Sequence, residues 1–124
     1  MLKPGSNVAI KVPLYRWGET VAFYRDRMGL REVKRTEDSV AFEFGEMVLW
    51  IDRVARQSQV DVWLELRTDD ATAALEQLGS PNRDELEPLD GVKGHWTSDP
   101  AGVVLLVCEA GGGAERLGQA DPRA

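Results

Sequence analysis

Cysteine and histidine are scarce in this sequence of 124 residues, which contains one of each, Cys108 and His95. A single cysteine cannot form an internal disulfide, and there is no pair or cluster of cysteines to bind a metal through thiolates. Basic residues are also in deficit, since 15 Lys and Arg accompany 21 Asp and Glu, for a net charge of -6. This balance disfavours nucleic acid and anionic membranes as partners, and it favours a neutral or cationic ligand.

Long apolar runs are missing too. No stretch approaches the roughly 18 apolar residues that a membrane-spanning helix needs. The segment from Met1 to Ser6 has neither the apolar stretch nor the cleavage site of a secretory signal. We therefore expect a cytoplasmic protein. With 43% hydrophobic and 29% charged residues, the chain has the composition of a globular protein, and its length suits one domain.

Hydrophobic periodicity predicts one strand, a helix and three more strands in the first half of the chain. Val8, Ile10 and Val12 alternate with polar or small residues, as in a strand with one buried face. A helical period follows from Gly18 to Met28, and Gly29 suits a left-handed C-terminal cap. The three further strands are predicted at Leu30 to Arg35, Val40 to Phe44 and Met47 to Ile51, with a hairpin turn at Gly45 and Glu46.

The second half repeats this order. Val62, Leu64 and Leu66 alternate like the first strand, Asp70 is a suitable helix cap, and the segment from Gly79 to Pro81 ends the helix. The remaining strands are predicted near Glu85 to Glu87, from Val92 to Thr97 and from Val103 to Val107. When Val12 is aligned with Leu66, the helices and the final strands of the two halves coincide to within a few positions, which indicates a duplication. The segment 109–124 has no core periodicity and is predicted to be a flexible tail.

Two short motifs resemble those of a known superfamily. Phe23-Tyr24-Arg25-Asp26 followed by Gly29-Leu30 is similar to its FYxxxLGL-like helix end, and Asp99-Pro100-Ala101-Gly102 is similar to its DPDGN-like turn. The family is the vicinal-oxygen-chelate superfamily, which includes glyoxalase I, the extradiol dioxygenases and the bleomycin-resistance proteins. The resemblance implies an α+β fold in residues 1–108, in which two βαβββ modules (about 7–52 and 60–108) form one curved mixed-sheet bowl with the helices outside.

The resemblance also implies where a metal site would be. Metal-dependent members carry ligands at the start of the first strand and late in the last strand of each module. Those positions correspond here to Asn7 and Asp61 on the opening strands, and to Trp50 or a neighbour and Leu106 on the closing strands. At least two of these four side chains cannot bind a metal. We therefore expect no metal and no other cofactor.

Alternation predicts the side chains that enter the bowl. If the apolar residues of the two opening strands face the helices, Asn7 and Lys11 on one strand and Asp61, Trp63 and Glu65 on the other face the concavity. These polar residues have two interpretations: a solvated inner face, or a ligand site in which acidic groups accept hydrogen bonds from cationic or amide groups. Lys11 has two uses, binding an anionic group or pairing with Glu65 across the strands.

Aromatic residues and the single histidine leave further alternatives. Trp17 continues the helical stripe and is predicted to pack there. Trp50 and Trp63 are candidates for stacking on a ligand or for a dimer contact, and the facing of Trp50 and of Trp96 stays open. His95 is either a general base or a half-exposed, hydrogen-bonded residue. Cys108 is expected to be a small buried apolar residue.

We interpret the sequence as a metal-free protein of the bleomycin-resistance type that binds and sequesters a small molecule, such as a cationic aromatic drug, and so confers antibiotic resistance. No catalytic residue is predicted. The predicted ligand-binding residues are Asn7, Lys11, Trp50, Asp61, Trp63, Glu65, His95 and Leu106. The resemblance implies a homodimer. The alternatives are a glyoxalase-like lyase or isomerase, or a dioxygenase, with a rearranged metal site, and a dimerising scaffold without a ligand.

Overall fold

The computed structural model describes residues 2–109, which contain seven strands and two α-helices. These residues divide into two units. The first comprises Ser6–Val62, and the second contains Trp63 and the residues after it together with the N-terminal residues up to Gly5. No helix in this part of the chain is long and apolar enough to cross a bilayer. The tail predicted at 109–124 lies outside the described residues apart from Glu109.

The first unit has the predicted order of strand, helix and three strands. Its elements are β1 (Lys3–Pro13), which starts in the second unit, α1 (Leu14–Ala22), a π-helical turn (Phe23–Arg27), β2 (Glu32–Arg35), β3 (Ser39–Phe44) and β4 (Met47–Val54). β1 pairs in parallel with β4, and β4 with β3 and β3 with β2 pair antiparallel, so the strand order is β2-β3-β4-β1. The predicted βαβββ order of this module is confirmed.

The helix of the first unit begins earlier than predicted, at Leu14 rather than Gly18. It starts directly after Pro13, which has no amide hydrogen to extend the strand ladder. It runs into the π-helical turn, where the Met28 N–H donates to the Phe23 carbonyl at 2.9 Å. Gly29 follows with φ 76°, the left-handed conformation that the sequence predicts.

The core of the first unit lies between α1 and one face of its sheet. Val8, Ile10 and Val12 lie on this face, as predicted, and Trp17 packs against the same cluster. The Trp17 Nε1–H donates to the Ile51 carbonyl at 3.0 Å, so its polar atom is satisfied. The buried members of the cluster are Val12, Val21, Val40, Phe42, Leu49 and Ile51.

The second unit is built from β5 (Asp61–Thr68), which starts in the first unit, α2 (Ala71–Leu78), β6 (Gly94–Ser98) and β7 (Val104–Glu109). β5 pairs in parallel with β7, and β7 pairs antiparallel with β6, so the order is β5-β7-β6. Asp70 caps α2 as predicted, because its Oδ1 accepts the Ala73 N–H at 3.0 Å. Gly79 ends the helix with φ 66°.

The strand predicted near Glu85 to Glu87 is absent from the described second unit, where these residues form turns. Besides a backbone bond from the Arg83 N–H to the Trp96 carbonyl at 2.7 Å, side-chain bonds hold this segment in place. The Asp84 Oδ1 accepts the Trp96 N–H at 2.8 Å, and the Asn82 Oδ1 accepts the Asp84 N–H at 2.8 Å. The module therefore has the order βαββ, and the α+β class is unchanged.

The core of the second unit is small. Ala71 and Ala74 of α2 form a buried cluster with Val107, and Leu66 and Leu2 pack against it. Val62 and Leu64 lie on the same face of β5 as Leu66, as predicted, but they are 40% and 37% exposed. The buried face of α2 consists of two alanines, and it covers only the Leu66 end of β5.

Two phenylalanines on the same face of β3 offer a matched test of the first core. Phe42 is fully buried, whereas Phe44 at the end of the strand is 46% exposed. We expect Phe42→Ala to lower the free energy of unfolding by about 3–5 kcal/mol, because it leaves a cavity, and Phe44→Ala to lower it by less than about 1 kcal/mol. Urea denaturation followed by circular dichroism measures both. Equal effects would contradict the described core.

Candidate functional site

The face of the first unit opposite α1 carries three of the predicted ligand-binding residues. Leu49 and Ile51 belong to the core under α1, so Trp50 between them points to the other face. Asn7 and Lys11 share that face because they alternate with Val8 and Ile10. Trp50 is opposite Ala9 in the register of β1 and β4. The predicted facing of Asn7 and Lys11 is confirmed, and Trp50, whose facing the sequence left open, lies on the same face.

Lys11, Asp52 and Ser39 form one polar row across three strands, which we call the polar rung. They are aligned in the register, with Lys11 opposite Asp52 and Asp52 opposite Ser39. The Lys11 ammonium donates to Asp52 Oδ2 at 2.8 Å, and the Ser39 hydroxyl donates to Asp52 Oδ1 at 2.6 Å. All three residues are at most 6% exposed. The rung is thus a buried ion pair with a hydroxyl on its second carboxylate oxygen.

Asn7 and Trp50 are joined on the same face. The Trp50 indole N–H donates to Asn7 Oδ1 at 3.0 Å, and both residues are buried. The bond satisfies the indole donor, which would otherwise be costly to bury. It also occupies the amide oxygen of Asn7, the only atom of that side chain that could approach a cation.

Asp61 begins β5 and is partly buried. It lines a shallow recess of about 380 Å³ with the loop from Arg56 to Val60. The polar rung and the Asn7–Trp50 pair contribute no residue to the lining of this recess.

The second unit presents a face with two tryptophans and a buried carboxylate. Trp63 and Glu65 lie on the face of β5 opposite α2, and Leu106 is opposite both Glu65 and Trp96 in the register. The rings of Trp63 and Trp96 meet edge to face, with centroids 4.9 Å apart and an interplanar angle of 66°. This arrangement is a favourable one for aromatic pairs. Trp63, Glu65 and Leu106 share one face, and Trp96 joins them.

The side chain of Glu65 is fully buried. Its Oε1 lies 3.6 Å from Arg67 Nε, two residues along the same face of β5. Gly5 makes room for the carboxylate, because a Cβ at this position would collide with the Glu65 side chain. A buried charge of this kind needs both a partner and space, and here both come from the second unit.

His95 lies on the other face of the second unit, apart from Trp63, Glu65 and Leu106. It is opposite Val107 in the register, and Val107 packs under α2. Its Nε2 lies 3.3 Å from Thr72 Oγ1 of α2. Its carboxylate partner is Asp84, which sequence reasoning did not consider. His95 and Trp96 are successive residues of β6, so their side chains point to opposite faces. His95 is therefore separated from the other predicted ligand-binding residues of the second unit, which share the face of Trp96.

Sequence reasoning missed three residues of these faces, Ser39, Asp52 and Arg67, and left open the facing of a fourth, Trp96. Asp52 stands two positions after Trp50, and Arg67 two positions after Glu65, so continued alternation would have found both. They were missed because the predicted strands ended at Ile51 and Leu66, whereas β4 and β5 continue to Val54 and Thr68.

Cys108 is buried, as predicted. Burial, together with the charge of Glu65, raises the pKa of its thiol to about 11. A thiol with this pKa is protonated near neutral pH, and it is therefore neither a nucleophile nor a metal ligand there.

The residues at the positions where the resemblance places metal ligands do not fit a divalent ion. Asn7 and Trp50 bond to each other, Leu106 has no donor atom, and Asp61 supplies the only carboxylate. Within residues 2–109, no group of three or more His, Cys, Asp or Glu side chains is arranged to hold a metal. A divalent ion needs three or four convergent donors, which this set does not provide.

The polar rung allows a test of how much a buried ion pair affects the free energy of unfolding. We expect Asp52→Asn to lower the free energy of unfolding by about 3 kcal/mol, because it removes the carboxylate from a buried ammonium. Asp38→Asn is the control, since Asp38 pairs with Arg53 at 2.9 Å but is 66% exposed, and we expect a loss below about 1 kcal/mol. Chemical denaturation at low and high salt measures both, and a loss for Asp52→Asn no larger than that of the control would contradict this geometry.

No protein-family model and no curated protein matches the chain. Solved structures do match. The Mn(II)-bound glyoxalase from Novosphingobium aromaticivorans is 20% identical with a TM-score of 0.61, over 88% of this chain and 40% of that one. The hypothetical protein BH1468 from Bacillus halodurans is 12% identical with a TM-score of 0.63, over 93% and 99% of the two chains.

A third match is a glyoxalase/bleomycin resistance protein/dioxygenase superfamily member from Vibrio splendidus, which is 12% identical with a TM-score of 0.52, over 82% of this chain and 97% of that one. The chain thus spans the length of the Bacillus and Vibrio proteins, but only two fifths of the Novosphingobium glyoxalase. At these identities the likeness concerns the fold. The chain has the vicinal-oxygen-chelate fold, as its motifs and its module order predict.

Proposed function

We propose that this chain is a small-molecule-binding protein that works without a metal and releases its ligand unchanged. The observation that carries the proposal is the hydrogen bond between Asn7 and Trp50, at 3.0 Å. Two positions that correspond to metal ligands are thereby committed to each other. Leu106 and Asp61 cannot make up the missing donors. No observation favours the metal-dependent enzyme as a second candidate.

Buried charge supports a role in ligand recognition. Lys11 and Asp52 in the first unit, and Glu65 in the second, are at most 6% exposed on faces that do not pack under a helix. Ion pairs at such positions are expensive to desolvate, and apolar residues would stabilise a sheet at least as well. Their presence is explained if these faces recognise polar groups of a ligand.

The chemistry of the second face favours a cationic ligand with an aromatic ring. Glu65 supplies a buried carboxylate, and beside it lie the buried indole rings of Trp63 and Trp96, whose π-systems attract cations. The net charge of -6 acts in the same direction over a longer range. Assembly as a homodimer, a role in antibiotic resistance and a cytoplasmic location stay predictions.

Metal addition is the first test. We expect no stoichiometric uptake of Mn²⁺, Zn²⁺, Ni²⁺ or Fe²⁺ by tag-free protein, and no rise of the melting temperature at an ion concentration of about 100 times a micromolar Kd, where a specific site would stabilise by about 2.7 kcal/mol. Elemental analysis after dialysis and thermal denaturation measure these two quantities. One ion per chain, with a higher melting temperature, would overturn the metal-free proposal.

Ligand binding is tested with 9-aminoacridine, a cationic aromatic probe. We expect saturable binding by isothermal titration calorimetry. We expect Glu65→Gln to weaken it at least about tenfold, because it removes a negative charge beside the indole rings that attracts a bound cation. Glu76→Gln is the charge-matched control on the exposed side of α2. Trp63→Ala should weaken binding as well. Trp17→Phe should not, because Trp17 packs in the core of the first unit.

Circular dichroism and melting curves establish that each variant is folded before it is titrated. Equal affinity of wild type and Glu65→Gln, or equal losses for Glu65→Gln and Glu76→Gln, would contradict the proposed role of Glu65. Absence of binding by the wild-type protein would contradict the proposed ligand class.

A further inference from the structure

A hydroxyl, an imidazole and a carboxylate are aligned in the second unit, on the side of the sheet that faces α2. Thr72 Oγ1 lies 3.3 Å from His95 Nε2, and the second ring nitrogen, Nδ1, lies 2.8 Å from Asp84 Oδ2. Thr72 comes from α2, His95 from β6, and Asp84 from the turn before β6. This order of groups, nucleophile to base to carboxylate, is the one that acyl-transfer enzymes use on unrelated folds.

Asp84 is held in place by the backbone. Its Oδ1 accepts the Trp96 N–H at 2.8 Å, and the amide of Asn82 donates to its Oδ2 at 3.0 Å. Burial raises the pKa of Asp84, but the hydrogen bonds from His95, the Trp96 amide and Asn82 outweigh it, and the pKa lies below its usual value. The group is therefore a carboxylate near neutral pH, suited to accept a hydrogen bond from the ring.

The Asp84 carboxylate selects the ring tautomer of His95. When Nδ1–H donates to Asp84, Nε2 has a free lone pair, and it faces the Thr72 hydroxyl. The hydroxyl then donates to Nε2, which is the geometry of a general base beside a nucleophile. Asp84 is thus a positioning residue, and it does not touch the reacting atoms.

The backbone amide of Thr72 completes the arrangement. Thr72 is the second residue of α2, where amides have no partner within the helix. The Ala71 amide donates to Glu109 Oε2 at 3.2 Å and the Ala73 amide to Asp70 Oδ1 at 3.0 Å. Within residues 2–109 the Thr72 amide donates no hydrogen bond. A free amide at the positive end of a helix can bind an oxyanion.

Solvent reaches all three groups. Thr72 is exposed, and the side chains of His95 and Asp84 are 26% and 41% exposed. We propose that Thr72, His95 and Asp84 form an acyl-transfer site that acts on small, unhindered carboxylic esters. This site lies on the helix side of the second unit and shares no residue with the ligand site proposed at Trp63 and Glu65, so either proposal can fail without the other.

The reaction balances with ester and water alone. Thr72 Oγ1 forms a bond to the ester carbonyl carbon while its proton passes to His95 Nε2, and the Thr72 N–H binds the developing oxyanion. The bond to the leaving alkoxide breaks, and the alkoxide takes the proton from His95. Water then attacks the acyl-threonine and gives its proton to His95, which returns it to Thr72 as the carboxylic acid leaves.

The test uses p-nitrophenyl acetate and the full-length chain. We expect the wild-type protein to release p-nitrophenolate at least about tenfold faster than Thr72→Val, which keeps the shape and removes the hydroxyl. Thr72→Ser should keep the activity or raise it, because a primary hydroxyl is less hindered. His95→Gln should lose it. Tandem mass spectrometry after rapid acid quenching should locate an acetyl group on Thr72.

Thr20→Val is the matched control. Thr20 also lies on a helix, but its hydroxyl donates to the Arg16 carbonyl at 2.7 Å and is therefore already engaged. We expect its rate to equal that of wild type. Equal rates for wild type and Thr72→Val, or acetylation confined to lysines, the N-terminus or His95, would overturn the proposal. Thr72 is exposed, so its variants are expected to fold, and circular dichroism verifies this.

Discussion

The two-residue period of a β-strand is the constraint on which the rest of the structure depends. Successive side chains point to opposite faces. Once Leu49 and Ile51 lie under α1, Trp50 must lie on the other face. The same rule separates Trp96 from His95 in the second unit. Each unit therefore has one face that stabilises the fold by packing under a helix and a second face that carries polar and aromatic side chains.

The sequence alone predicts the first module well, because its signals are local. The alternation around Ile10, the turn at Gly45 and the left-handed Gly29 each depend on a few neighbouring residues. The prediction of a strand near Glu85 to Glu87 was wrong, because the Asp84 side chain accepts a hydrogen bond from the backbone amide of Trp96, twelve residues later. Bonds between distant residues leave no periodic trace in the sequence.

The candidate site likewise has features that the sequence predicts and features that it does not. The facing of Asn7, Lys11, Trp63 and Glu65 follows from alternation and was predicted. Their partners were not, because the partners come from other strands: Asn7 bonds to Trp50 over 43 positions. The fold likewise does not decide the chemistry, since its members share a scaffold and differ in the few side chains placed on it. Here those side chains bind one another rather than converging as metal donors.

The polar rung also bears on how the chain finds its fold. β1 and β4 are parallel strands whose paired residues are about forty positions apart, so no hairpin turn fixes their register and their pairing is slow to form. A shift of one residue would turn Lys11 into the apolar layer beneath α1 and leave Asp52 facing a hydrophobic neighbour. Only the native alignment joins ammonium, carboxylate and hydroxyl. The rung thus excludes misaligned sheets, and part of its value lies in the conformations that it makes unfavourable.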